Sequence, residues 1–405
     1  MMKRGWIYML IALNMLAGCV DKSYGGMEDE EIYDDTTEPI PVKVYIGSPE
    51  SILAKGLGVV DDIRDYQDAK FYVYAFNNDM LTAYDVTSKA NNSRCLIDGS
   101  KDVPGTMAGK EARMMASSNM VEWAGPDERV YYPFGSESGI IYDFFAYFVD
   151  DIKVRERDIT RKEDCITIQL EIDGTQDLMS SKARVLEDQL VGFLDDKEKD
   201  QMAHYCYSYY AARKGIDPVF IFKHHLSKLN FKVTPAYNPT GRKIVTIDRI
   251  EVKSQYKALF TVADKNNDDN LGLTFDDDDF ADLPVREIGK DGLDEGKYVI
   301  ETLETPGEKA VSKDVGTSLL VAPAEGYMAN VYVTEVLEDG TVQRSETPLS
   351  MAIRNPEGFQ PGNGYVVNIS VYGVTRIDAS VSLSKWNDGG RVPIDNEESF
   401  GNYYQ

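Results

Sequence analysis

The chain has 405 residues, with 43 Lys and Arg against 68 Asp and Glu, for a net charge of −25. That balance excludes nucleic acid as a main partner, since affinity for it comes mostly from cationic contacts to phosphate, and it excludes charge-driven adsorption to anionic lipid. The length predicts two domains with sizeable cores, and 25 Tyr against 15 Phe, with many β-branched and turn residues, points to β structure.

The amino terminus reads as an export signal. Lys3 and Arg4 form a short positive region, an apolar run follows from Trp6 to Leu16, and Leu16, Ala17, Gly18 and Cys19 close it. The run is too short for a membrane span and has the order of a signal peptide, expected over residues 1–18. Small residues before a cysteine match a bacterial lipobox, which makes Cys19 the expected site of lipidation. Two or more acyl chains on it would anchor the protein stably, at about 0.8 kcal/mol per buried CH₂. Residues 19–39 are expected to be a tether, because 28–38 carries seven acids and no base and cannot bury enough surface to fold. Acids soon after the lipidated cysteine point to export onto the outer surface, with periplasm-facing retention as the alternative. Of the other cysteines, Cys95, Cys165 and Cys206, an odd number cannot all pair within the chain. One disulfide with a buried thiol, or three thiols, fit equally.

Strand signals follow in order. Val42, Val44 and Ile46 alternate within 41–46, and 71–76 is dense and apolar on both faces. The stretch 127–151 carries the strongest signal: strands are expected at 129–133 and 140–149 around a Gly/Ser turn at 135–139. In the second, Ile141, Phe145, Tyr147 and Val149 lie on one face, and Ile140, Tyr142, Phe144, Ala146 and Phe148 on the other. A half-exposed strand alternates apolar and polar. This one does not, so it is expected deep in a sheet-on-sheet core. Ile166, Ile168, Leu170 and Ile172 alternate in a further strand.

Residues 177–215 read differently. Leu186, Leu190, Val191 and Leu194 recur at helical spacing, as do Met202, Tyr205, Cys206, Tyr209 and Tyr210. Gly215 and Pro218 would stop a helix, which predicts a short helical insert. Strands resume at 219–222 and 226–233. The segment 235–241, with Pro235, Pro239 and Gly241, is the best linker. Strands at short intervals then run to Trp386, with a hairpin turn at Glu338, Asp339 and Gly340. Many short strands with Gly, Pro and Asp turns mean β-sandwich. The expected division is an amino-terminal sandwich at 40–235, a carboxyl-terminal sandwich at 236–390 and a polar tail at 391–405.

Catalytic and metal constellations are weak. His204, His224 and His225 with Cys206 fit no usual zinc spacing. Asp264, Asn266 and Asp268 sit at alternating positions in an acidic loop and invite Ca²⁺. However, the EF-hand's sixth-position Gly is replaced by Asp269 and its twelfth-position Glu by Phe275. A solvated loop is the simpler reading and a weak calcium site the alternative. Ser382 and Lys385 match S-x-x-K, but on a strand rather than the helix that motif needs. No zinc-protease, P-loop or dinucleotide motif occurs, so an enzyme is not expected. Trp123, beside Gly125 and Pro126, is the candidate for contact with a ligand.

Several patches resemble the fimbrillin-like family, the subunits and accessory proteins of type V pili. They are the lipobox at 16–19; the run 69–76; Tyr131, Tyr132 and Pro133 followed by 142–147; 176–179; 222–229; 319–323; and 364–372 leading to 381–386. They occur in family order across nearly the whole chain after Cys19. The resemblance implies two tandem transthyretin-like β-sandwich domains, with the helical insert in the first. It also implies a lipid-anchored, surface-exposed component of a fimbrium on the outer membrane, acting in cell adhesion. Its partners would be other fimbrial subunits and a glycan or protein on a host or bacterial surface, and the lipid anchor would supply its only membrane contact. Assembly would proceed by donor-strand exchange: a protease removes the first strand, here 41–46, cutting after Lys55 or Arg64, and a strand from another subunit replaces it. The polar tail departs from the long apolar donor strand of a stalk subunit and favours an anchor, tip or accessory role. The rival reading is a glycan-binding surface lipoprotein of a polysaccharide-uptake system.

Overall fold

The computed structural model describes residues 38–47, 70–77, 95–97, 108–114, 119–123 and, with short gaps, 129–384. It is mostly β. The described strands assemble into stacked sheets around three apolar clusters.

The strand Tyr142–Val149 explains the arrangement of the first part. All eight residues are buried. Tyr142, Phe144, Ala146 and Phe148 enter one cluster, while Phe145, Tyr147 and Val149 enter another. Successive side chains of a strand point to opposite faces, so a strand with no polar face needs cover on both sides. Its sheet runs in the order Lys223–His224, Leu178–Lys182, Tyr142–Val149, Lys70–Asn77, Lys110–Met114, Val121–Trp123, with Cys95–Ile97 also on Lys70–Asn77. Lys70–Asn77 divides in the same way: Phe71, Val73 and Ala75 to one side, Tyr74 and Phe76 to the other. The sheet is therefore a middle layer. The one acid on the central strand, Asp143, is neutralised by Lys182 at 3.5 Å, with both side chains 8% exposed.

One face of the middle layer is covered by a sheet in the order Gly272–Phe275, Lys257–Asp264, Cys165–Glu171, Ile159–Arg161. It supplies Ile166, Ile168, Leu170, Phe260 and Val262 to the shared cluster. The other face is covered by the amino-terminal segment and by helices carrying Met202, Tyr209 and Ala211. The helical insert is smaller than the periodicity suggested. Leu178–Lys182 is a strand hydrogen-bonded to Tyr142–Val149, and among the described residues of the stretch only Glu187–Leu190, Asp196–His204 and Tyr209–Arg213 are helical. A five-residue apolar-to-small run beside an edge that needs a partner goes to the sheet, because ladder pairing outweighs local propensity. Likewise 129–133 forms no full strand: Tyr131 makes a single bridge to Pro41.

The remaining strands form a sandwich. One sheet has Lys313–Asp314, Ser227–Pro235, Gly364–Gly373 and Arg376–Ser384, with Leu319–Val321 also on Ser227–Pro235. The facing sheet has Phe280–Pro284, Ile244–Gln255, Ala324–Val336 and Val342–Arg344, with Tyr298–Glu301 and Leu349–Phe359 alongside. The expected alternation is visible: Tyr365, Val367, Ile369 and Val371 are all buried between them. The turn at Gly340 joins the antiparallel pair Ala324–Val336 and Val342–Arg344, with Gly340 at φ +80°, a conformation that favours glycine.

The strand pairing runs across the linker at 235–241. Ser227–Pro235 lies parallel to Gly364–Gly373, from Lys228 opposite Gly364 to Pro235 opposite Val371. Conversely, Lys257–Asp264 pairs with Cys165–Glu171. The chain changes sheets at Tyr256, which packs against both clusters. Its carbonyl accepts the Ile172 N–H at 2.9 Å.

Candidate functional site

The segment 40–47 is the feature most unlike ordinary core structure. Val42, Val44 and Ile46 are 3%, 0% and 1% exposed, while Lys43 between them is exposed. The alternation read from sequence is thus realised: the aliphatic residues enter the cluster with Phe71, Phe144 and Phe220.

Main-chain bonds hold the segment on both edges. On one side, Tyr132 N–H donates to the Ile40 carbonyl at 3.0 Å and Val42 N–H to Val130 at 2.8 Å. Val121 N–H donates to Val44 at 2.8 Å, and Ile46 N–H to Asn119 at 2.9 Å. On the other, Tyr45 N–H donates to Pro218 at 2.9 Å and Gly47 N–H to Phe220 at 2.8 Å. The segment runs parallel to Val219–Phe220 and antiparallel at its bridges to Tyr131 and Met120. It therefore fills a slot between two pieces of chain, with ladder bonds supplying affinity and alternate pockets supplying register.

Side chains fix its ends and rim. Tyr209 Oη donates to the Glu38 carbonyl at 2.8 Å. Trp123 Nε1 donates to the Val42 carbonyl at 3.4 Å, and its ring packs against the same cluster. The indole N–H of this candidate ligand-contact residue is therefore directed at the segment. At Gly47 an added Cβ would lie 2.9 Å from Val219 Cγ1 and 3.2 Å from Ile221 Cγ1. Asp217 borders the slot. Burial pushes its carboxyl up to about 6, with nearby Lys43 pulling the other way. Burial, and secondarily the Asp217 charge, raise the Tyr45 and Tyr132 phenols. The backbone of Asp217 is fixed by Gln189 Nε2, which donates to its carbonyl at 2.8 Å.

Of the other sequence-derived candidates among the described residues, Cys206 enters the same apolar cluster as the segment, while Asp264, His224 and His225 lie elsewhere. Cys19, Lys55 and Arg64 lie outside the described residues, as does the side chain of Cys95. Cys165 and Cys206 are not joined in a disulfide. The Asp264 carboxylate is buried and turned on its own loop: Oδ1 accepts the Asn266 N–H at 2.8 Å and Oδ2 accepts Asn270 Nδ2 at 3.0 Å. The Asp268 side chain lies outside the described residues. Among the described residues, no group of three His, Cys, Asp or Glu is placed to hold a metal.

The adjacent histidines have separate roles. His224 Nδ1 lies 2.7 Å from Asp177 Oδ2, with both side chains at most 1% exposed. His225 Nε2 is 2.7 Å from Ser180 Oγ, and its ring meets Phe260 edge-on. Burial, with the neighbouring His224 adding to it, holds His225 down to about 3. It is neutral at physiological pH and half-buried, held between the Ser180 hydroxyl and the Phe260 ring.

Sequence reasoning missed Asp217, Tyr209 and Gly47. Gly47 carried a signal, standing directly after the third alternating aliphatic residue. Asp217 carried none, because its burial comes from chain that is distant in sequence.

No family model matches the chain, and no curated protein matches it. Among solved structures, a candidate cell adhesion protein of Parabacteroides distasonis overlaps with a TM-score of 0.43 at 10% identity, covering 87% of this chain and 98% of that one. One of Bacteroides uniformis overlaps with a TM-score of 0.39 at 13% identity, covering 87% of this chain and 100% of that one. The fimbrial anchor protein Mfa2 of Porphyromonas gingivalis gives 0.31 at 11% identity, covering 86% and 98%. Overlaps this loose decide neither fold nor role, and the reading of the slot rests on its own geometry. No helix among the described residues is long and apolar enough to cross a membrane.

Proposed function

We propose that this chain is a lipid-anchored cell-surface protein of the fimbrillin-like kind, an anchor, tip or accessory component of adhesive type V pili, joined to its neighbours by donor-strand exchange. It binds other subunits and performs no catalysis. The observation that carries the reading is the seat of residues 40–47, bonded on both edges with three aliphatic side chains in the core. Burial of such side chains contributes roughly 1.5–3 kcal/mol each. A chain lacking this segment exposes an apolar slot and unpaired main-chain groups on both sides, which an extended strand from another subunit fills. The lipobox at Cys19 supplies the anchor of the uncut chain; cleavage after Lys55 or Arg64, beyond the strand, releases that anchor together with the strand and leaves the chain held by its neighbouring subunits.

The test is amino-terminal sequencing of the protein recovered from assembled surface fibres. The reading expects chains beginning after Lys55 or Arg64, with 41–46 gone. Chains in the fibre that still carry 41–46 would contradict it.

A further inference from the structure

We infer that the slot selects the sequence of the strand it receives. It takes an extended segment with aliphatic residues at three alternating positions, a glycine directly after the third, and a basic residue between the first two. This deepens the strand-exchange reading and rests on it. The occupant is a strand from a different subunit chain carrying that pattern.

The resident segment is the template. Val42, Val44 and Ile46 define three closed aliphatic positions in register. The glycine requirement comes from close approach. Gly47 is not among the residues with positive φ, so its backbone conformation is open to any residue. What excludes a side chain is Val219 Cγ1, 2.9 Å from the position of a Cβ. Val219 is buried and β-branched, hence stiff at χ1. Backing the strand away would break the Gly47 N–H bond to the Phe220 carbonyl, 2.8 Å long. A larger residue there therefore loses either the bond or the packing.

The basic position follows from the rim. In the parallel pair Tyr45 lies opposite Val219, a register that sets Lys43 beside Asp217 at the rim, and the Tyr45 N–H holds the Pro218 carbonyl at 2.9 Å; Tyr45 and, across the slot, Tyr132 also feel the Asp217 charge. Lys43 is the one cation in this group. An acid in its place would set like charges together at a poorly solvated carboxylate.

Residues 385–405 of this chain do not meet the pattern. Val392 and Ile394 alternate, but Asn396 takes the third position and Glu397 the place of the glycine. The segment between Val392 and Ile394 is Pro393, which has neither a charge nor a main-chain donor.

The test uses the full chain with a specific protease site introduced between residues 48 and 69. The chain is nicked, unfolded, and refolded with an excess of a labelled peptide of residues 38–47. Retention of label is read by gel filtration and affinity by competition. The native peptide is expected to be retained and a Val44→Asp peptide excluded. A Gly47→Val peptide should bind about tenfold more weakly, as overpacking of a closed site implies. A Lys43→Glu peptide should bind several-fold more weakly, with the difference shrinking at high salt. A peptide of residues 385–405 should not be retained. If the Gly47→Val and Lys43→Glu peptides bind as well as the native one, the slot stands as a strand acceptor but reads no sequence, and this inference fails alone. If the native peptide is not retained, strand exchange itself fails.

Discussion

The indole of Trp123 reaches across 3.4 Å to the carbonyl of Val42, tying the edge strand Val121–Trp123 to the amino-terminal segment through a side chain as well as through the ladder. Neighbouring main-chain bonds, Val121 N–H to Val44 and Val42 N–H to Val130, lie on the same edge of the segment. Trp123 thus acts on the inside of the fold, as a clasp on the strand that the proposed assembly must release.

That role predicts a local effect. Trp123→Phe keeps most of the ring packing and removes one hydrogen bond of about 1 kcal/mol, so opening of the segment should become roughly fivefold more frequent. Hydrogen exchange at the Tyr45 and Ile46 amides would show it, while exchange in Gly364–Gly373 stays unchanged. Equal acceleration everywhere would mean that Trp123 supports the whole core rather than the segment.

The charge at the rim predicts a pH dependence. The Asp217 carboxyl is raised from its ordinary 3.8 to about 6, chiefly by burial, so the folded state binds this proton more tightly than the unfolded chain. Its contribution to stability therefore rises as pH falls through about 6 and levels off below about 4, with an upper size of about 3 kcal/mol. Other carboxylates titrate in the same range, so the measurement is a difference. Asp217→Asn should be the more stable protein at pH 7, and its advantage should vanish near pH 4. Chemical denaturation at several pH values checks this, and a pH-independent difference would contradict it.

Asp177 and His224 make a pair with both side chains sealed from solvent, at 2.7 Å. Removing one partner of a buried pair leaves the other without its counter-charge, which typically costs about 3–5 kcal/mol. Asp177→Asn should lower the denaturant midpoint by an amount near the bottom of that range, with an unchanged slope. A near-neutral result would show that the pair is not ionised.

The sequence made the middle layer legible because its strands lack a polar face. Tyr142–Val149 could be solvated on neither side, and its two-sided burial follows from that alone. The segment 41–46 was equally readable, since Val42, Val44 and Ile46 alternate over a short run. What the sequence could not show was pairing between distant strands. Ser227–Pro235 sits beside Gly364–Gly373, and Lys257–Asp264 beside Cys165–Glu171, although a Pro- and Gly-containing linker at 235–241 suggested a break. Local composition marks where the chain turns, not which strand it turns towards. Leu178–Lys182 was drawn into the expected helical insert for the same reason. Its hydrogen-bond partner lies some thirty residues earlier in the chain, in Tyr142–Val149.

On the proposed function, this chain is joined to other subunits through a strand seated in the slot of residues 40–47. That joining is tested most directly by shearing the surface material from cells and running it in SDS, with and without boiling, against an antibody to this chain. Donor-strand complexes unfold slowly and survive unheated detergent. Species of high mass are expected in the unheated lane, collapsing to a single band on boiling. A single band at the mass of the free chain in both lanes would contradict it.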